Sequence, residues 1–119
     1  MNVTDEAARQ ALVDRFKALT QVDLPDRARA DGWPLRLDHC FKRVCLDWAF
    51  RDCWYRHLKR PAEQHIGGAD LDRAVRCAEE ILDGGVALLK KRNAASLRWR
   101  GKSSAVPWRA SETLSEGPQ

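Results

Sequence analysis

The segment 35–58 constrains the fold more than any other part of this chain, because it contains neither glycine nor proline and is apolar on opposite sides. Its apolar residues recur at helical spacing in two sets: Leu37, Phe41, Val44, Trp48 and Tyr55 on one face, and Leu46, Phe50, Cys53 and Trp54 on much of the other side. A helix that is apolar nearly all round is a buried one. The sequence therefore predicts a central helix over 35–58, with the other elements packed about it.

Three further amphipathic patterns predict helices over 4–22, 69–83 and 86–97. The last two are separated by Gly84-Gly85, which stops the preceding pattern. No alternating pattern of useful length predicts a β-strand. We therefore expect a four-helix, all-α fold.

The stretch 23–34 is predicted to be a loop, because it contains two prolines and a glycine. Trp33 is expected to pin this loop to the body of the protein. The core is expected to combine one face of the central helix with one face of the next: Phe41, Val44, Trp48, Leu71, Val75, Ala78 and Leu82.

The chain length of 119 residues leaves room for one core. We predict a single helical domain over 1–102, followed by a flexible tail over 103–119. No apolar run approaches the roughly 20 residues that a membrane-spanning helix needs. The N-terminus is acidic and is followed by no apolar stretch, so it lacks the pattern of a secretory signal. These features favour a cytoplasmic protein that does not enter a membrane.

The four cysteines are expected to be reduced and mostly buried, as is usual for cytoplasmic chains. They are Cys40, Cys45, Cys53 and Cys77. Cys53 and His57 have a spacing that could share a metal ion, but no second ligand pair accompanies them. Free cysteine also behaves as a small buried hydrophobe. We therefore expect neither a metal site nor a cofactor.

A row of charged residues runs along one side of the predicted central helix. It consists of His39, Arg43, Asp47 and Arg51, which follow one another at intervals of four. We call it the charged row. Charge at the edge of a buried helix is costly unless it is paired or bound. One interpretation is a structural network in which Arg43 bridges to Asp47. The other is a ligand cleft, with His39 as a proton carrier or donor and Arg43 as an anion clamp.

The positive charge of the protein is concentrated at its C-terminus. Seven of the 21 basic residues, but only two of the 17 acidic residues, follow Gly85, so the net charge is −1 up to Gly85 and the total is +4. Within this basic segment, 97–102 alternates basic residues with Trp99. Such a stretch can bind phosphates while an indole stacks on a base. It can equally be solvated charge beside a tryptophan that docks into the core.

The two charged features are predicted to form one anion-binding surface, since the last helix must pack against the central one. The candidate residues are His39, Arg43, Asp47, Arg98, Trp99, Arg100 and Lys102. Asp47 would orient one of the guanidinium groups, or it would simply neutralise the nearest arginine.

The chain resembles a family of small bacterial proteins of unassigned function at 37–43, Leu46-Asp47, Trp54, Pro61-Ala62 and 96–102. The pattern is Asp-His-Cys-x-x-Arg, Leu-Asp, Trp, and Ser-Leu-Arg-Trp-Arg-Gly-Lys, within about 37–102. Relatives of this kind are sometimes labelled acetyltransferase-related. That label implies a mixed α/β sheet with a glycine-bearing pyrophosphate loop, and the sequence predicts neither.

Three functions remain open at this point. The first is a non-enzymatic binding module whose basic segment contacts nucleic acid or another anionic partner, such as an acidic protein. The second is an enzyme or small-molecule sensor with a cleft lined by His39, Arg43 and Asp47. The third is a protein-interaction subunit that uses exposed tryptophans. The first is favoured, and the oligomeric state is left open.

Overall fold

The computed structural model describes residues 2–101, and side chains from residue 5 onward. The fold of this part is all-α, as predicted, and it contains no strand. Its elements in chain order are α1 (Asn2–Ala18), a π-helical turn (Leu19–Asp23), α2 (Leu24–Asp31), α3 (Asp38–Phe50), a 3₁₀ turn (Trp54–Arg56), α4 (Ala62–His65) and α5 (Gly68–Trp99). The predicted flexible tail, like Lys102, lies outside the described residues.

Helix α3 is the central element, as predicted, and most of its residues are buried. It packs mainly against α5, which also packs against α1. The predicted extent of 35–58 is wrong, because α3 ends at Phe50. Arg51 takes a left-handed conformation (φ 54°), and its N–H donates to carbonyls of the last turn. The chain then turns, and the Asp47 carboxylate accepts a hydrogen bond from the Trp54 N–H at 3.0 Å. A tertiary contact therefore ends the helix, where the sequence has no glycine or proline.

The predicted loop over 23–34 is also wrong, because most of it forms α2. Pro25 lies in the first turn of α2, where a missing N–H is tolerated. Gly32 ends the helix in the left-handed conformation (φ 68°), with its N–H bonded to the Ala28 carbonyl. Trp33 does pin this region to the core: it is buried, and its ring meets that of Phe41 edge to face at 6.4 Å.

Helix α5 contains the break that was predicted at Gly84-Gly85. Gly85 has φ 76° and ψ −160°, which lie outside the helical region, and its kink divides α5 into two parts. This backbone conformation is essentially restricted to glycine. The second part continues to Trp99, beyond the predicted end at residue 97.

The predicted core is confirmed for most of its members. Phe41, Val44, Leu71, Val75 and Ala78 are buried. The remaining two, Trp48 and Leu82, are only partly buried and pack against this core. Trp48 lies at the edge of the core rather than inside it, where its ring contacts charged side chains: the guanidinium groups of Arg51 and Arg92 lie 4.0 and 3.9 Å from its ring centroid.

The four cysteines are buried, as predicted, and none is in a disulfide bond. Cys45 and Cys77 lie in contact across α3 and α5, and their hydrogen bond raises the pKa of Cys45 and lowers that of Cys77. The Arg92 guanidinium, 3.2 Å from the Cys77 sulfur, also lowers the pKa of Cys77. Across the part of the chain that is described, no helix is long and apolar enough to cross a membrane.

Candidate functional site

A buried polar network lies where α3 meets the last turns of α5, and Asp47 is at its centre with 0% exposure. One carboxylate oxygen of Asp47 accepts hydrogen bonds from the Ser96 hydroxyl and from Nε of Arg100, both at 2.6 Å. The other oxygen accepts from Nη2 of Arg100 at 3.1 Å and from the Trp54 N–H. Both oxygens are therefore fully engaged by protein donors.

Arg43 joins the same network from one helical turn earlier on α3, with only 3% exposure. Its Nη1 donates to the Ser96 hydroxyl at 2.8 Å, and its Nη2 donates to the Asn93 side-chain carbonyl at 2.7 Å. Ser96 thus accepts from Arg43 and donates to Asp47, and so connects the two. Burial lowers the pKa of Arg43 despite the nearby Asp47 charge, and the positive charge of Arg100 adds to the lowering.

Arg100 fastens the end of α5 to α3 and to the 3₁₀ turn. Its side chain is 8% exposed and forms a two-pronged ion pair with Asp47. Its guanidinium also lies 4.9 Å from the centroid of the Tyr55 ring. Burial acts to lower the pKa of Arg100, but the hydrogen bonds and negative charge of Asp47 outweigh it and raise the pKa.

A cleft of about 460 Å³ lies beside this network, between the first half of α3, the 3₁₀ turn and the start of α4. We call it the α3–α4 cleft. Its lining residues are His39, Lys42, Arg43, Trp54, Tyr55, Arg60, Pro61 and Ala62. Arg43 belongs to both the cleft and the network, and therefore connects the buried ion pair with the open space.

The charged groups of the α3–α4 cleft are basic: the described lining residues include Lys42, Arg43 and Arg60, an imidazole, and no carboxylate. Arg60 is exposed, and its guanidinium lies 4.1 Å from the Tyr55 ring centroid. Lys42 is paired with Glu63 at 2.9 Å. Partial burial alone would raise the pKa of Glu63, but the hydrogen bond from Lys42 lowers it.

The predicted site residues fall into three places. His39, which is exposed, and Arg43 line the cleft, whereas Asp47 and Arg100 lie in the buried network behind it. Arg98 is exposed. Trp99 is partly buried, with its ring 6.0 Å from that of Trp48, and Lys102 lies outside the described residues. The charged row and the end of α5 therefore do meet, through the Asp47–Arg100 pair.

Sequence reasoning missed Lys42, Trp54, Tyr55 and Arg60 as lining residues. Trp54 and Tyr55 fall within the central helix predicted over 35–58, and Arg60 lies beyond its predicted end. Their approach to α3 depends on the turn at Arg51, for which the sequence carries no glycine signal. The basic and aromatic residues around 54–60 were the one available hint.

A metal site finds no support in the described part of the chain, where no group of three or more potential ligands comes together. Cys53 is buried, while His57 is exposed and lies 3.2 Å from the Asp52 carboxylate. The helix that would have aligned Cys53 with His57 ends before either residue.

The fold and site define an all-α domain in which a buried ionic network supports an open basic cleft. Comparisons with models of known protein families, with curated proteins and with solved structures found no match. The geometry of the chain itself is therefore the basis for a proposal about function.

Proposed function

We propose that this protein is a non-enzymatic helical binding module for an anionic partner, and that the anionic group binds in the α3–α4 cleft. The observation that carries the proposal is the double position of Arg43. It is buried in the network with Asp47 and also lines the cleft. A negative group in the cleft would lie next to a cation that is already held in place.

The charge balance of the network supports an anion. Arg43 and Arg100 bring two guanidinium groups and Asp47 brings one carboxylate, so the charges of these three side chains sum to one positive charge. Removing a charge from water is costly, and a nearby opposite charge offsets this cost best where the surroundings exclude water. An anion beside Arg43 would be attracted by this positive charge from the cleft side.

The arginine side chains also suit the recognition of carboxylate and phosphate, which a planar guanidinium can bind through two parallel hydrogen bonds. Arg60 is exposed at the same cleft. Its contact with the Tyr55 ring restrains the side chain, and such cation–π contacts are worth about 0.5–1 kcal/mol at exposed sites.

The basic C-terminal segment has a lesser role in this proposal, because two of its arginines form ion pairs with acidic residues of the same chain. Arg92 pairs with Glu80 at 2.9 Å, and Arg100 pairs with Asp47. Lys91 and Arg98 are exposed. Exposed positive charge attracts anionic partners over a distance and raises the association rate. We therefore assign attraction to this segment and binding to the cleft.

The test removes one charge at each location. Arg60→Gln takes a cation from the cleft, and Arg98→Gln takes one from the end of α5. Both residues are exposed, so both variants should fold. Binding of pyrophosphate and of a single-stranded oligonucleotide is measured by calorimetry over a range of salt concentrations.

We expect Arg60→Gln to weaken pyrophosphate binding by about tenfold, in line with the loss of one charge-assisted hydrogen bond. Arg98→Gln should leave it within about twofold. Absence of pyrophosphate binding to the parent would contradict the proposal. The proposal would also be contradicted if the oligonucleotide bound with a steep salt dependence, and if Arg98→Gln reduced that dependence while Arg60→Gln did not. Such a result would place the site at the basic segment.

A further inference from the structure

The lining of the α3–α4 cleft is only partly charged. Tyr55, which is partly exposed, and Pro61, which is exposed, supply accessible apolar surface, and the buried Arg43 lines the same cleft. His39 and Arg60 line the same cleft but are exposed, which places them at its mouth. The cleft therefore offers accessible apolar surface together with one buried and one exposed arginine.

The size of the cleft also exceeds what a simple ion needs. Its volume of about 460 Å³ lies within the roughly 300–1,000 Å³ typical of small-molecule sites. A bare phosphate or carboxylate ion would fill a small part of it and leave the accessible apolar surface of Tyr55 and Pro61 in contact with water. An apolar group bound there would remove that surface from water at a gain of about 25 cal/mol per Å².

A polyanion fits the cleft less well than a small molecule. Nucleic acids are held without sequence preference along grooves that follow many phosphates. Here one of the cleft cations, Lys42, is already paired with Glu63. Arg43 is buried and Arg60 is exposed. Of the two arginines that line the cleft, a long polyanion would therefore meet Arg60 at the mouth.

We infer that the ligand of the α3–α4 cleft is a small organic anion, in which one carboxylate or phosphate is joined to an apolar body about the size of one or two rings. The inference rests on the proposed function and narrows it. The anionic group reaches Arg43 and Arg60, and the apolar body lies against Tyr55 and Pro61. Either part of such a ligand alone would bind more weakly than the two joined.

Three probes separate the two parts of the ligand. 2-Naphthoate carries both the ring body and the anion, 2-naphthalenemethanol carries the same ring without charge, and inorganic phosphate carries charge without a ring. Calorimetry gives their dissociation constants for the parent, for Arg60→Gln and for the matched control Arg98→Gln. A fourth protein, His39→Trp, adds bulk at the cleft mouth on an exposed residue and should therefore fold.

We expect 2-naphthoate to bind the parent at least tenfold more tightly than either of the other probes. Arg60→Gln should weaken 2-naphthoate by about tenfold, His39→Trp should weaken it further or abolish it, and Arg98→Gln should leave it unchanged. If phosphate binds as tightly as 2-naphthoate and depends on Arg60, this inference fails while the proposed function stands. If the alcohol binds as tightly as the acid and Arg60→Gln has no effect, or if no probe binds, both fail.

Discussion

Replacement of Asp47 by asparagine tests whether the buried network holds α3, the 3₁₀ turn and α5 together. Asparagine has nearly the same shape but no charge, and it presents an NH₂ group where the carboxylate has a second oxygen. Either orientation places that NH₂ opposite two donors, one of which is the Arg100 guanidinium. The side chain thus loses at least one charge-assisted hydrogen bond, worth about 1.5–3 kcal/mol.

The same change leaves the charges of Arg43 and Arg100 without their buried counter-charge. Removing one partner of a buried ion pair typically costs about 3–5 kcal/mol, because the remaining charge is uncompensated. We expect Asp47→Asn to lower the free energy of unfolding by this amount. Such a loss is a large fraction of the total stability of a small domain.

Urea unfolding, followed by circular dichroism and tryptophan fluorescence, measures this loss. The matched control is Asp72→Asn, which also removes one carboxylate from an ion pair; Asp72 is 41% exposed and its partner Arg76 is 70% exposed. Exposed pairs contribute little, so the control should change stability by less than about 1 kcal/mol. A loss of under about 1 kcal/mol for Asp47→Asn itself would refute the network as a stabilising element.

Three further predictions concern other parts of the fold. Gly85→Ala should destabilise the protein by about 1–3 kcal/mol, because an L side chain is strained at φ 76° and ψ −160°. The control Gly68→Ala, at the start of the same helix, should be close to neutral, and equal effects of the two changes on the melting curve would contradict this prediction. Glu63→Gln should lower stability at neutral pH, and its effect should shrink as the solution is acidified. The contribution of a carboxylate with a lowered pKa is present above its unfolded pKa and is lost as pH falls through the folded one; a pH-independent difference would count against the Lys42 pair. The four buried thiols should react with a thiol reagent only in denaturant, and fast reaction of the native protein would show that they are accessible.

The sequence predicted those features of the fold that depend on local pattern. The break at Gly85 and the apolar faces of α3 and α5 follow from periodicity and from the conformational freedom of glycine. The end of α3 does not follow from such a pattern. Arg51 adopts a left-handed conformation there, and the next residues are held by the hydrogen bond between the Trp54 N–H and Asp47. The helix at 24–31 was missed because a proline in the first turn is compatible with a helix, although the same residue inside a helix would break it.

The candidate site was predictable in part for the same physical reason. The four-residue spacing placed His39, Arg43 and Asp47 in one row, since that spacing is a property of every helix. The partner of Asp47 lies 53 positions later, at Arg100, and such a contact depends on how two helices pack. The sequence also does not indicate which side of α3 faces the α3–α4 cleft. Arg60 and Tyr55 reach it only because the chain turns back after Phe50.

The most direct test of the central claim is to locate the site at which an anion binds. The indole N–H signals of the tryptophans in a ¹H–¹⁵N spectrum report the position of a bound probe. Trp54 lines the α3–α4 cleft, Trp33 lines a separate pocket beside Gly85, and Trp99 lies in the basic segment at the end of α5. Titration with 2-naphthoate should shift the Trp54 indole signal and the backbone amides around 54–62, with little change at Trp33 and Trp99. Shifts confined to Trp99 and the amides of 90–101, or no shift at saturating probe, would contradict the account.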